Sequence, residues 1–291
     1  MEHLCQTFNV SERRACAVLE QPRSTQRLVP AERPADKPLV QRMLELVRVH
    51  PRFGYRRIWA LLRREGWRVN RKRVYRLWRK QGLKVPRRKK KKRGLGQKKN
   101  GCATRRALAR NHVWAWDFIH DRTADGRPLK WLSVVDEYTR ECVGLEVARS
   151  LSAQRVTELL AGMIRERGAP VHIRSDNGPE FIAYAIRHWL VSARVAVLYV
   201  EPGSPWENGY AESFHSRLRD ELLDREEFSS PLEARVVSAN WRTEYDQKRP
   251  HSSLNYQTPA EFARTCPNAD ELGLRGQVAG QEAGEKKGGP S

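Results

Sequence analysis

The stretch Val171-His-Ile-Arg-Ser-Asp-Asn-Gly-Pro-Glu-Phe181 predicts a strand that runs into a tight turn and then into a helix. Val171–Ser175 is typical of a short buried strand, Asp176 ends it, and Asn177-Gly178 forms the turn. Pro179 suits the first position of a helix. Ligands of α/β sheets collect beyond the carboxyl ends of strands, where Asp176 lies. The stretch therefore predicts an α/β fold with a carboxylate at a ligand-binding edge.

On both sides of this stretch, apolar patterns predict strands and helices. Three consecutive strands precede it, and helices alternate with strands around and after it, which indicates a mixed sheet with helices on its faces. The other predicted strands are Val113–Asp121, Leu129–Asp136, Cys142–Val147 and Val195–Val200. The predicted helices are Ala153–Arg167, Glu180–Ser192, Tyr210–Leu223 and Pro231–Tyr245.

Three acidic residues occupy positions that this layout can bring together. Asp117 is expected mid-strand and buried amid Trp114, Trp116, Phe118 and Ile119. Asp176 ends its strand, and Glu212 lies on the first turn of a helix. Between Asp176 and Glu212 stand 35 residues. Close carboxylates repel one another unless a cation lies between them, and hard oxygen ligands suit Mg²⁺. On the residues alone, a structural role for the trio stays open.

Other acids near the trio have simpler explanations. Glu180 complements the N-terminus of its predicted helix, and Asp136 is expected to fix a turn after the second strand. Glu207 lies in a loop, where the direction of its side chain is unspecified. Spacing alone does not choose among these residues.

Positive charge is concentrated in the first third of the chain. Residues 1–110 contain 33 Lys and Arg against 7 Asp and Glu, a net charge of +26, whereas residues 111–291 contain 22 and 27, a net charge of −5. An excess of this size is beyond what solubility requires and is typical of a region that binds a polyanion. We therefore expect a nucleic-acid-binding part followed by a near-neutral domain.

The basic third contains three predicted helices, Asp36–Val49, Tyr55–Glu65 and Arg71–Gln81, the last capped by Asn70. The third helix is very basic and has no acidic residue to pair with its cations, which favours a helix-turn-helix over a bundle with a solvated charged face. The basic run that follows predicts a linker along DNA phosphates, with a merely solvated linker as the alternative. The candidate DNA-binding residues are Arg71, Lys72, Arg73, Arg76, Arg79, Lys80, Arg88, Lys89 and Lys90.

The five cysteines and eight histidines show no metal-binding spacing. Without a Cys-x-x-Cys or a closely spaced His pair, neither a zinc site nor a disulfide framework is expected, and a reducing compartment fits best. The N-terminus has no signal-peptide pattern, and no apolar run approaches the length of a membrane span. We expect a cytoplasmic protein without a membrane segment.

These patterns predict five segments. A partial helical segment at residues 1–35, with Ser11 as an N-cap, precedes the helix-turn-helix-like domain at 36–84 and the basic linker at 85–110. The sheet domain spans 111–265, and the Gly-, Ala- and charge-rich residues 266–291 are predicted to be a disordered tail. The helical pattern at 6–27 is too short to bury its apolar face alone. It is typical of the end of a helical unit that begins elsewhere.

Taken together, the motifs resemble the superfamily of transposases and retroviral integrases with an Asp-Asp-Glu active site. The particular resemblance is to the second-frame, OrfB-type product of insertion sequences in the IS-three family, whose own Asp–Glu spacing is also 35 residues. Six motifs carry it in order over roughly residues 50–265. They are Phe53-Gly-Tyr-Arg-Arg-Ile58, Trp114-x-x-Asp117, Val135-Asp136-x-x-Thr-Arg140, Ser175-Asp-Asn-Gly-Pro-Glu-Phe181, Pro205-x-x-Asn-Gly-x-x-Glu212 and Tyr245-Asp-Gln-Lys-Arg-Pro-His-Ser-Ser-Leu-Asn-Tyr-Gln-Thr-Pro-Ala-Glu-Phe262.

The resemblance implies an RNase H-like fold: a mixed five-stranded sheet with flanking helices, preceded by a small all-α helix-turn-helix domain. It implies that Asp117, Asp176 and Glu212 are the catalytic residues and hold Mg²⁺ or Mn²⁺, as two ions. Arg219, seven residues after Glu212, stands where the family has Lys or Arg and is implied to hold a DNA end. A plain surface charge is the alternative for Arg219. Residues expected to support the site are Asn177, Gly178, Asn208 and Arg249.

The function that the resemblance implies is transposition in a bacterial, nucleoid-associated setting. The chain would cleave DNA at the ends of an element and transfer the strands, with water as the first nucleophile and a 3′-hydroxyl as the second. Its partners would be terminal inverted repeats, target DNA, further copies of itself, and the product of an upstream frame joined by ribosomal frameshifting. Two alternatives stay open: a non-catalytic DNA-binding regulator, and an RNase H-like nuclease or resolvase that only hydrolyses.

Overall fold

The computed structural model describes residues 1–28, 34–85, 106–175, 184–199 and 209–275. These residues belong to two compact units. One comprises Met1–Pro51 with Asn70–Leu83, and the other comprises Arg52–Val69 with Lys84–Ser291. Among the predicted functional residues, those outside the described ranges are Arg88, Lys89, Lys90, Asp176, Asn177, Gly178 and Asn208.

The described residues form helices and strands in the predicted order. The helices are α1 (Glu2–Phe8), α2 (Glu12–Val18), α3 (Arg23–Gln26), α4 (Asp36–Val49), α5 (Tyr55–Arg64), α6 (Arg71–Lys80), α7 (Ala153–Arg167), α8 (Tyr184–Ser192), α9 (Gly209–Leu218), α10 (Pro231–Gln247) and α11 (Pro259–Arg264). The strands are β1 (Val113–Arg122), β2 (Pro128–Asp136), β3 (Cys142–Ala148), β4 (His172–Ser175) and β5 (Ala196–Tyr199).

The first compact unit is helical, and two of its helices begin at the predicted caps. The Ser11 side chain accepts the backbone N–H of Arg14 at 3.4 Å, and the Asn70 side chain accepts that of Lys72 at 2.8 Å. Such caps satisfy N–H groups that the first helical turn leaves without partners. The buried apolar residues of α4 and α6 are Leu39, Met43, Leu46, Val74, Leu77 and Trp78.

The second compact unit is built on a mixed five-stranded sheet in the order β3-β2-β1-β4-β5. β1 pairs with β2 and β2 with β3 antiparallel, whereas β4 is parallel to both β1 and β5. The connection from β1 to β2 turns through Gly126, whose φ of 78° suits a residue without a Cβ. The predicted mixed sheet is confirmed.

Each face of the sheet buries its own apolar core. On one face, α7 and α8 cover Trp114, Trp116 and Leu132. On the other face, Ile119 and Trp131 pack with residues of α9 and α10, including Phe214 and Tyr245. Helices therefore cover both faces of the sheet.

The predicted helix Tyr210–Leu223 is in fact two pieces. α9 ends at Leu218, and a π-helical turn occupies Arg219–Leu223. The wider turn lets three consecutive side chains, Glu221, Leu222 and Leu223, all be buried or nearly so. An α-helix would separate consecutive side chains by 100°, which explains why periodicity alone did not predict this turn.

Of two further predictions, one is confirmed and one is corrected. Asp136 does fix the turn after β2, since it accepts the backbone N–H groups of Asn111, Tyr138 and Thr139 at 2.7–2.9 Å. By contrast, the first ten residues of the predicted disordered tail, 266–275, are packed. Ala269 is fully buried, and its N–H donates to the Arg110 carbonyl at 2.8 Å. Within the described ranges, every helix is too short or too polar to span a lipid bilayer.

Candidate active site

Asp117 lies on β1 at the face covered by α9. It pairs with Ser133 of β2, and its chain neighbours Trp116 and Phe118 point to the opposite face with α7 and α8. Because strand side chains alternate, Asp117 shares its face with Ile119. Its side chain is 22% exposed. The expectation that Asp117 is buried among all the surrounding aromatics is therefore wrong, and the carboxylate is accessible.

Both carboxylate oxygens of Asp117 have polar neighbours. Oδ1 accepts the backbone N–H of Phe118 at 2.7 Å, and Oδ2 lies 3.5 Å from Nδ1 of His215. Nε2 of His215 lies 2.7 Å from the Ser133 hydroxyl, which is also 3.2 Å from the Asp117 carbonyl. The shorter contact favours Ser133 donating its hydrogen to Nε2. The Nδ1 hydrogen of His215 then faces the Asp117 carboxylate.

The contacts run from Ser133 to His215 to Asp117, as in the catalytic triad of a serine hydrolase. Ser133 cannot act as the nucleophile of such a triad. Ser133 is only 1% exposed and stands mid-strand in the sheet. A nucleophilic serine needs access to its substrate. The chain of contacts instead fixes His215 against Asp117.

His215 is uncharged near neutral pH. Burial lowers the pKa of His215 to about 4, and the positive charge of Arg219 adds to the shift. Its contact with Asp117 is therefore a polar contact rather than an ion pair. Sequence reasoning missed this residue, although its spacing of three from Glu212 would have placed it on the same side of the helix.

α9 presents three functional candidates along one side. Glu212 lies exposed on its first turn, His215 follows one turn later, and Arg219 begins the π-helical turn and is exposed. α9 packs against β1 and β2, and His215 makes its contact with Asp117 from there. Glu212 is thus on the same side of the helix as His215, which contacts Asp117.

A buried ion pair lies immediately before Asp176. Nε of Arg174, on β4, donates to Oε1 of Glu137 at 2.7 Å, and both side chains are almost fully buried. Burial raises the pKa of Glu137, and the Arg174 charge opposes this shift. The pair ties the end of β4 to the residue that follows β2. No group of three metal-binding side chains converges within the described ranges, from which Asp176 is missing.

Arg249, predicted to support the site, belongs to a different cluster. Its Nε and Nη2 donate to the two carboxylate oxygens of Glu221 at 2.8 and 2.6 Å. Nη1 of Arg57 reaches the same carboxylate at 3.3 Å. The Phe53–Ile58 motif, the π-helical turn and the closing motif are therefore tied together by one acid.

The basic helix α6 is exposed along one side and, as its sequence shows, has no acidic residue of its own. Two of its cations have an acidic partner on another helix. Arg73 is half-buried and contacts Asp36 of α4 at 2.6 Å, and Arg76 lies 3.5 Å from the same acid. The exposed candidates on α6 are Arg71, Lys72, Arg76, Arg79 and Lys80.

Family models match most of the chain. A model described as HTH-like domain matches residues 34–91, and two models described as Integrase core domain match residues 107–205 and 193–259. The match of the integrase core model spans the strand that carries Asp117 and extends through position 176. The second core model spans position 212.

Proteins of insertion elements are similar over nearly the whole chain. The uncharacterized 31.7 kDa protein of insertion element IS407 from Burkholderia multivorans is 40% identical over 263 residues, 90% of this chain and 94% of that protein. The uncharacterized 39.2 kDa protein of IS476 from Xanthomonas euvesicatoria is 42% identical over 87% of this chain and 72% of that protein. Transposase InsD for insertion element IS2D from Escherichia coli is 28% identical over 75% of this chain and 78% of that protein.

Proposed function

Because this chain belongs to the IS-three family of insertion-sequence transposases, as an OrfB-type enzyme of the Asp-Asp-Glu class, we propose that Asp117, Asp176 and Glu212 are its catalytic residues. The three carboxylates would hold two Mg²⁺ or Mn²⁺ ions. The substrate of this site would be the DNA at the element ends, which it cleaves and then joins to target DNA.

The parallel register of β1 and β4 carries this proposal. Val113 pairs with His172 and Ala115 with Arg174, a constant offset of 59 positions (172 − 113). Continued two residues further along both strands, the same offset would set position 176 opposite Asp117; position 176 itself lies outside the described residues. His215 supports the third member independently, since it brings the helix of Glu212 against Asp117.

The carboxylates suit the proposed ions. Oxygen ligands are those that Mg²⁺ and Mn²⁺ prefer. Asp117 and Glu212 are both open to solvent, so an ion can reach them. When bound, the ions would stabilise the negative charge on the attacking and leaving oxygens. Without a cation, three adjacent carboxylates would repel one another.

The residues around the trio hold its groups in place. The Phe118 N–H and His215 orient the Asp117 carboxylate, and an uncharged imidazole does not compete with a cation for it. Arg219 is exposed on the Glu212 side and would hold a backbone phosphate of the DNA end. Water would attack the phosphodiester first, and the freed 3′-hydroxyl would attack the target strand second.

We propose partners in keeping with this chemistry. The exposed cations of α6 and the basic run at 86–93 would contact DNA phosphates. Joining two ends calls for several copies of the chain. The upstream-frame product would supply the rest of the helical unit at residues 1–28. The activity would be exerted on the bacterial nucleoid, in the cytoplasm.

A strand-transfer assay tests the chemistry. Element-end DNA with a free 3′-hydroxyl is incubated with the protein and Mg²⁺, and joined products are expected. Hydrolysis without joining would contradict the proposal in favour of a nuclease, and DNA binding without either reaction would favour a regulator. Glu212→Gln should abolish joining but not DNA binding. Glu226→Gln, which removes an exposed glutamate beyond the π-helical turn, should leave both unchanged.

A further inference from the structure

A basic cavity of about 550 Å³ lies beside α9 in the second compact unit. Its walls come from α5, the segment before β1, the turn after β2, α9 and the closing motif. Tyr210, Ser213 and Arg217 of α9 face it. At 100° per residue these positions are opposite to Glu212, His215 and Arg219, so the cavity is distinct from the carboxylate site. Its basic lining residues are Arg57, Arg106, Arg140, Arg217, Arg249 and His251.

The positive charge of the lining exceeds the acid that contacts it. Glu221 is shared by Arg249 and Arg57. Two other nearby acids have arginine partners outside the cavity: Glu137 pairs with Arg174, and Asp220 pairs with Arg52. Five arginines line this half-enclosed space, and its described lining residues include no Asp or Glu.

Arg140 is the clearest sign of a missing ligand. It stands in the left-handed region with φ 66°, which is costly for a residue with a Cβ. Its guanidinium lies 4.0 Å over the Tyr210 ring, and its buried Nη1 has no hydrogen-bond partner within the described part of the chain. A buried charged donor is rarely left unsatisfied unless it serves another molecule.

The arginines also affect the pKa values of two groups that line the cavity, His251 and Arg57. Burial lowers the pKa of His251 to about 2, with further contributions from the nearby arginines, foremost Arg249. Burial also lowers the pKa of Arg57 to about 10, again with a contribution from Arg249. Burial is the larger cause of both shifts, and the arginine charges add to it. An anion in the cavity would offset those charges.

We propose that this cavity binds a phosphodiester group of a DNA strand. Guanidinium groups match phosphate oxygens with paired N–H donors, and the cavity adds hydroxyls from Ser213, Ser252 and Ser253. Its volume exceeds that of a lone phosphate ion, so it has room for a phosphate that is part of a DNA strand. This inference rests on the proposed function in one respect, namely that the substrate is DNA. The cavity would be a second DNA-binding site beside the helix that carries Glu212.

DNA affinity of single arginine variants tests the site. Arg140→Gln and Arg217→Gln are compared with Arg155→Gln, which removes an equal charge from an exposed position of α7. Binding of a short duplex of arbitrary sequence is measured across salt concentrations. Each cavity variant should lose about tenfold in affinity and lower the salt slope by about 1, whereas Arg155→Gln should match the wild type. Near-ultraviolet circular dichroism without DNA verifies that each variant is folded. If only one of the two cavity variants folds, that variant alone is enough for the test.

Two results would overturn the proposal. One is a DNA affinity and salt slope in both cavity variants equal to those of Arg155→Gln. The other is a loss of inorganic phosphate binding with unchanged DNA binding, which would make a free phosphate the ligand. Asp117→Asn keeps the two proposals distinguishable. This variant should retain DNA affinity and lose joining. The proposal for the cavity can therefore fail while the catalytic proposal stands, and the catalytic proposal can fail while the proposal for the cavity stands.

Discussion

Replacing Arg249 should destabilise the second compact unit strongly. Arg249→Met keeps the apolar stem of the side chain but removes both hydrogen bonds to Glu221, whose side chain is only 8% exposed. Breaking a buried ion pair costs about 3–5 kcal/mol. Arg57 still contacts the stranded carboxylate at 3.3 Å, so we expect the lower end, about 3 kcal/mol. For a unit of this size that corresponds to a fall in Tm of roughly 6–12 °C.

The assay is urea unfolding followed by the fluorescence of the buried tryptophans, with Tm measured in parallel. Lys248→Met is the matched control, because Lys248 makes an exposed pair with Glu244 at 3.8 Å and should cost less than about 1 kcal/mol. Arg249→Met combined with Glu221→Met should recover part of the loss, because the carboxylate is no longer stranded, while Arg57 loses its contact at 3.3 Å. A loss in Arg249→Met no larger than in the control, or no recovery in the double variant, would refute the reasoning.

Two further predictions concern polar groups of the same unit. His215→Phe removes the imidazole beside Asp117 and should lower the affinity of the site for metal ions by about 10–100-fold. The measurements are the Mg²⁺ concentration needed for half-maximal joining and calorimetric Mn²⁺ binding. An affinity equal to that of a variant at exposed His188 would count against this role. Burial raises the pKa of Asp246 from 3.8 to about 7, so the folded state binds a proton that the unfolded chain releases, and stability should fall as pH rises from about 4 to about 7. Since Asp246 keeps some exposure, Asp246→Asn should be more stable than the wild type by only about 1–2 kcal/mol at pH 8. At pH 4 the two proteins should be equally stable. Urea unfolding at both pH values measures the difference, and a difference that does not change with pH would contradict the prediction.

Much of the fold could be predicted because its signals are local. Strand alternation, the caps Ser11 and Asn70, and the end of α7 at Gly168 each depend on a few neighbouring residues. The π-helical turn could not be predicted, because it is stabilised by contacts of Glu221 with residues distant in the chain. The same holds for Arg73, whose acidic partner Asp36 stands 37 positions away.

In the candidate active site, too, local motifs could be predicted from the sequence and contacts between distant residues could not. Motif and spacing selected Asp117 and Glu212, and both lie on elements that meet. His215 was missed because its role depends on Ser133 and on the packing of α9 against the sheet. The basic cavity was also beyond sequence reasoning. Its arginines come from five separate segments, and for one of them, Arg249, the sequence predicts a supporting role at the catalytic site.

The central claim is that the three carboxylates act together in DNA strand transfer. The direct measurement is the single-turnover rate of joining a pre-cleaved 3′-hydroxyl end in Mg²⁺, for Asp117→Asn, Asp176→Asn and Glu212→Gln. Each variant should bind the DNA end like the wild type and lose joining by at least about a thousandfold, the scale of removing a metal or its stabilisation of charge. Joining at near wild-type rate by any one of the three would contradict the account.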